Sequence, residues 1–185
     1  RMDLNATQKV IHKAIDLGIN FFDTSNTYGN QLSEEYIGKT ITKDIRRNII
    51  IATKFGMDMG GIPNNIGASR KHIVEQVDDS LKRLNSDYID LYQIHVPDPH
   101  TPILETLTTL NDLVRSGKVR YIGCSNFAGW QIAQAMEISR KESLEAFVSN
   151  QPEYSMLNRR IETEILPACE NYQLGILPFF PLANG

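Results

Sequence analysis

Apolar positions along this chain alternate between two rhythms. Runs at 19–22, 48–53, 88–94, 119–124, 147–150 and 175–180 are short and rich in β-branched or aromatic residues, and predict strands. Between them apolar residues recur at helical spacing. Val10, Ile11, Ala14 and Ile15 mark a helix over 6–17, with Asn5 as its cap and Gly18 as its stop. Ser33 predicts the start of a short helix over 34–40. Ser69 caps a helix over 70–84, whose Ile73, Val77, Leu81 and Leu84 form one stripe. Thr101-Pro102 reads as a cap followed by proline at the first helical position, with the helix ending near Ser116-Gly117. Two further helices are expected over 129–140 and 160–172. The count is six strands and six helices in strict alternation, the signature of parallel βαβ units.

The strand ends carry the chemistry. Successive strands finish at Asp23, Lys54, His95, Ser125-Asn126 and Gln151. A doubly wound sheet binds its ligand at one switch point, usually on a glycine-rich first turn, and no GxGxxG follows any strand here. Functional groups at nearly every strand end suit a closed barrel, which places its site at the carboxyl ends of all strands. The expected fold class is therefore α/β, a (β/α)8 TIM barrel. A complete barrel needs ~250 residues. With 185 residues, the chain is read as an incomplete barrel of about six of eight βα units. Residues 1–185 form a single partial domain, lacking the first strand and the C-terminal βα units.

Composition narrows the function classes. Nineteen Lys+Arg against 22 Asp+Glu give a net charge of −3, no electrostatic reason to expect nucleic acid or an anionic membrane as partner. No apolar run approaches a membrane span, and the first residues lack a signal-peptide core. Cys124 and Cys169 form no CxxC, so a reduced cytoplasmic protein without a structural zinc site is expected.

Asp23, Tyr28, Lys54 and His95 suggest a common purpose. A free phenol, with a pKa of about 10, exchanges its proton poorly near neutral pH, and a nearby ammonium favours the phenolate. A carboxylate beside that lysine keeps it charged and in place, and a histidine near the same oxygen can donate to a carbonyl. The four make a proton-donating, carbonyl-polarising set if they meet in space. Taken singly, each has an ordinary structural reading: a loop aspartate, a solvated lysine, a satisfied histidine, a packed tyrosine. Cys124 reads as a small buried residue and Trp130 as packing. The glycine-rich stretch from Met57 to Gly67 reads equally as a pocket wall or a mobile surface loop.

The stretch Gly18-Ile19-Asn20-Phe21-Phe22-Asp23-Thr24-Ser25 with Tyr28-Gly29, continued by Ser33-Glu34-Glu35 and Gly38, resembles the aldo-keto reductase family. So do Ile51-Ala52-Thr53-Lys54, the run from Asp90 to His95, the run from Gly117 to Phe127, and Asn150-Gln151-Pro152-Glu153-Tyr154-Ser155. The resemblance implies Tyr28 as the proton donor in carbonyl reduction, Lys54 easing its ionisation, Asp23 pairing with Lys54, and His95 orienting a small-molecule carbonyl substrate. It implies Ser125, Asn126 and Gln151 as ligands of a nicotinamide carboxamide, and NADPH as cofactor, with NADH not excluded. Phe179, in Phe179-Phe180-Pro181-Leu182, stands where the family usually has a tyrosine stacked on the nicotinamide. The family segment that grips the adenosine 2′-phosphate would follow Gly185. Ser69-Arg70-Lys71-His72-Ile73 and Asp98-Pro99 with Thr101-Pro102 are also similar to potassium-channel β subunits of the same family. A cofactor-binding regulatory subunit is thus the alternative, and His95, where such subunits carry asparagine, favours the enzyme. Substrate identity and oligomeric state stay open.

Overall fold

The computed structural model describes residues 2–60 and 63–183. Six parallel strands pair in sequence order: β1 (Phe21–Asp23), β2 (Ile50–Phe55), β3 (Ile89–Ile94), β4 (Val119–Ser125), β5 (Phe147–Gln151) and β6 (Gly175–Ile176). Each successive pair is joined through helix: α1 (Leu4–Asp16) precedes β1, then come α2 (Leu32–Thr40), α3 (Lys43–Arg46), α4 (Arg70–Leu84), α5 (Ile103–Arg115), α6 (Gly129–Glu142) and α7 (Ile165–Tyr172). Consecutive parallel strands with helical crossovers are the barrel arrangement, and the fold is α/β, consistent with an incomplete TIM barrel. Ile51, Phe55, Tyr92, Ile94, Ile122 and Phe147 on the strands and Ile73, Val77, Leu107, Leu110 and Ile132 on the helices form one buried core.

Several expected boundaries move, each for a local reason. Asp3, not Asn5, caps α1: its carboxylate accepts from the Ala6 amide at 2.8 Å. α2 begins at Leu32 after a left-handed Gln31, so Ser33 lies inside it and accepts from the Thr24 hydroxyl instead. Pro102, not Thr101, holds the cap position of α5, and the Thr101 hydroxyl donates to Asp98. The expected helix over 160–172 is divided into a 3-10 turn (Arg160–Thr163) and α7. Pro167 is the cause: it has no N–H to give the carbonyl four residues back, and fits only in the first turn of a new helix. β6 stops at Ile176 rather than Phe180, because Pro178 and Pro181 cannot donate to a ladder, and Phe179 makes an isolated bridge with Glu153. The short helix α3 carries no apolar periodicity, and the sequence reading passed over it.

The loops on the carboxyl side are tied to one another. The Asp98 carboxylate accepts from the Ala68 amide (2.7 Å), the His100 amide (2.8 Å) and the Thr101 hydroxyl (2.7 Å), and the Thr106 hydroxyl donates to the Ala68 carbonyl at 2.8 Å. Burial opposes the ionised form of Asp98, but these donors win and hold its carboxyl below the usual range. Gly67 is required here twice: its φ is +92°, and a Cβ would lie 2.5 Å from the Asp98 carboxylate. Asp98→Ala strands these donors and is expected to cost about 2 kcal/mol of stability, read as a lower urea midpoint with unchanged slope.

Candidate active site

The parallel register brings the predicted residues to one end of the sheet. Asp23 closes β1, Lys54 is the penultimate residue of β2, and His95 follows β3 directly. Ser125 ends β4 opposite Gln151, which ends β5. Lys54 is fully buried. Its ammonium donates to the Asp23 carboxylate at 2.5 Å, the Thr24 carbonyl at 2.9 Å and the Tyr28 hydroxyl at 3.2 Å. Three acceptors around one nitrogen leave it no freedom to turn away, as a buried charge requires. Tyr28, on the loop after β1, is exposed, so its hydroxyl faces both the buried ammonium and the solvent side. The His95 ring lies edge-on to Tyr28, with centroids 5.7 Å apart.

His95 is neutral in this setting. Burial and, secondarily, the Lys54 ammonium push its imidazole down from 6.5 to about 4, against a smaller opposing pull from Asp23. At neutral pH it carries one ring proton and donates or accepts without adding charge.

Ser125, Asn126 and Gln151 interlock beside this cluster. The Ser125 hydroxyl and the Asn126 amide both donate to the Gln151 carbonyl, at 2.7 and 3.2 Å. The Asn126 side-chain amide donates to the His95 carbonyl at 2.9 Å, from a backbone at φ +61° that asparagine tolerates. The Gln151 side-chain amide donates to Asp23 at 3.0 Å, so the two predicted groups are in direct contact. Phe179 stands apart. It is half-buried, its backbone bonds Pro152 and Tyr154, and its ring meets Phe180 edge-on at 5.3 Å.

Three residues were not singled out by sequence reasoning. Gln93, buried on β3 and in register with Lys54, donates to Asp23 at 3.3 Å. Strand alternation alone could have found it, since a polar residue two before His95 faces the same side. Ser25 is fully buried and lies 3.2 Å from the His95 Nδ1. Glu34, also fully buried, accepts from the Thr53 hydroxyl at 2.6 Å and from Arg83 at 2.7 Å, tying α2 and α4 to β2 one residue before Lys54.

A groove of about 680 Å³, lined by Ile41, Arg46, Leu81 and Tyr88 among others, lies at the opposite end of the strands. Arg46 there is fully engaged by Asp90, Ser86 and the Ile49 and Tyr88 carbonyls. Among the described residues no cluster of His, Cys, Asp and Glu has metal-ligand geometry, and no helix is long and apolar enough to cross a membrane.

A buried ammonium bonded to a phenol, beside a neutral imidazole at the carboxyl ends of parallel strands, is an arrangement able to move a proton onto an oxygen and steady the charge that moves with it. The chain is 40% identical over 187 residues to an uncharacterized oxidoreductase, YrpG, of Bacillus subtilis, covering 96% of the chain and 57% of that protein. It is 35% identical to a probable voltage-gated potassium channel subunit beta of Oryza sativa, covering 100% of the chain and 57% of that protein. It is also 35% identical to the L-glyceraldehyde 3-phosphate reductase of Escherichia coli, covering 98% of the chain and 54% of that protein. The chain spans about half the length of the curated relatives it matches. The model of the aldo/keto reductase family matches residues 1–185, and the chain belongs to that family.

Proposed function

We propose that this protein reduces the carbonyl of an aldehyde or ketone to an alcohol, with NADPH as the reductant and Tyr28 as the proton donor. Residues 1–185 are read as one unit carrying six of the eight βα units of the barrel. The observation that carries the proposal is the Lys54 ammonium held at once by Asp23 (2.5 Å) and the Tyr28 hydroxyl (3.2 Å). As the phenol gives its proton to the substrate oxygen, negative charge gathers on the tyrosine oxygen, and a fixed cation already in contact stabilises it without reorganisation. Asp23 keeps Lys54 aimed, and Gln93 and Gln151 hold Asp23 in turn. Neutral His95 donates to the same carbonyl and polarises it.

The residues present fit a nicotinamide. Gln151 and Asn126 spend their N–H donors on Asp23 and His95, and among the described residues their side-chain oxygens have no partner. Two acceptors suit the two N–H bonds of a carboxamide. When bound, such a group supplies hydride to the carbonyl carbon. Phe179 offers a ring face for stacking. NADPH rather than NADH rests on the family alone. A reducing, cytoplasmic setting suits the two cysteines, both buried and free.

The test measures oxidation of NADPH on addition of a reactive aromatic aldehyde, with NADPH binding measured separately. Oxidation that depends on aldehyde supports the proposal. Firm binding without oxidation overturns it in favour of a cofactor-binding regulatory subunit, the reading that the resemblance to channel β subunits offers.

A further inference from the structure

The Ser25 hydroxyl sits at a crossing of four polar groups whose hydrogens can be counted. It lies 3.0 Å from the Thr27 hydroxyl, 3.2 Å from the His95 Nδ1 and 3.3 Å from the Asn26 side-chain oxygen, and it accepts from the Thr27 amide at 3.3 Å. A serine hydroxyl has two acceptor lone pairs and one hydrogen. The Thr27 amide fills one lone pair. When the Thr27 hydroxyl, the nearest neighbour, donates its hydrogen, it fills the other. No lone pair is then left for an imidazole N–H. The Ser25 hydrogen then turns outward, where two acceptors are in reach, the His95 Nδ1 at 3.2 Å and the Asn26 side-chain oxygen at 3.3 Å. The Asn26 side-chain nitrogen donates to the buried Gln76 at 2.9 Å.

We infer that Ser25 is a positioning residue that holds Nδ1 of His95 as an acceptor and so places the ring proton on Nε2. Nε2 has no hydrogen-bond partner among the described residues, while the Asn126 amide fixes the His95 carbonyl from the other side. The imidazole borders the Tyr28 ring. The Nε2–H is thereby a free donor beside the phenol, the tautomer that polarising a carbonyl requires. With the other tautomer the histidine would present a lone pair to a substrate oxygen and repel it. Burial and Lys54 keep the ring neutral at working pH, so the tautomer is a real choice there. The kinetic consequence rests on the proposed carbonyl reduction; the tautomer itself does not.

The experiment is nitrogen NMR of the imidazoles, with the His95 signals among the four histidines assigned by difference against His95→Asn. It is run on wild type, Ser25→Ala and Ser25→Thr without substrate, alongside aldehyde turnover. Wild type is expected to show Nε2–H. Ser25→Ala is expected to populate Nδ1–H and to lower kcat about fivefold with KM little changed, and Ser25→Thr, which keeps the hydroxyl, to restore both. An Nδ1–H histidine in wild type, a spectrum indifferent to Ser25→Ala, or turnover that ignores the tautomer shift overturns the inference. A protein with the expected spectra and no turnover in any form defeats the carbonyl-reduction reading and leaves the Ser25 assignment standing.

Discussion

Replacing Lys54 by methionine is expected to lower carbonyl reduction by about 10²–10³-fold while leaving the protein folded. Methionine fills nearly the same space but brings no charge. The lost contact is the one to the Tyr28 hydroxyl, where charge develops as the proton departs, and such preorganised contacts carry a large share of catalytic acceleration. The effect on stability is smaller, and its size follows from the asymmetry of the pair. Lys54 is fully buried, whereas Asp23 keeps 31% of its side chain exposed. Removing one member of a buried pair costs about 3–5 kcal/mol when the other charge is stranded away from water. Here the stranded group is the solvated one, and Gln93 and Gln151 still donate to it. Removing the buried ammonium also removes its desolvation cost. A net change within about 1–2 kcal/mol is expected. Urea unfolding and aldehyde turnover on one preparation check both halves. A variant that unfolds, or one that turns over like wild type, contradicts the account.

Gly38→Ala is expected to have the largest effect on the fold. In an ordinary helix this change stabilises by about 1 kcal/mol. At Gly38 a Cβ would stand 2.2 Å from the Arg83 carbonyl oxygen and 2.9 Å from the Leu84 Cα. Both are backbone atoms at the end of α4, which cannot rotate aside as a side chain would. α2 must lift off α4, straining the Glu34–Arg83 pair and the Thr53 bond on which the position of β2 depends. The overpacking term wins, and a net loss of about 3 kcal/mol is expected. For a chain of this size that is a fall of roughly 10 °C in Tm, read by thermal unfolding followed by circular dichroism.

The strands were legible in the sequence because each is a compact β-branched run, and their order because parallel βαβ units leave few topologies. The candidate site was legible for the same reason: one functional residue at each strand end becomes a cluster once the strands lie in register. Prolines marked true breaks, but Pro167 and Pro178 were given too little weight, and the last helix and strand were drawn too long. Capping was read correctly at Ser69, whose hydroxyl accepts from His72, and misread at Asn5 and Ser33. At α1 the local Asp3–Ala6 bond starts the helix two residues earlier, and at α2 the left-handed Gln31 takes the cap position without a side-chain bond. Ser25 and Gln93 lie close in sequence to Asp23 and His95, but neither carries a chemistry of its own that marks it. Their meaning comes from partners 70 residues away, His95 and Asp23 respectively.

The measurement that tests the central claim most directly compares wild type with Tyr28→Phe in NADPH-dependent reduction of an aromatic aldehyde, following alcohol formation as well as NADPH loss. The substitution removes one oxygen from an exposed side chain, so folding and NADPH binding should persist. The account predicts alcohol in step with NADPH consumed in wild type, and a loss of about 10²–10⁴-fold in the variant. Alcohol formed at an undiminished rate by Tyr28→Phe would contradict it.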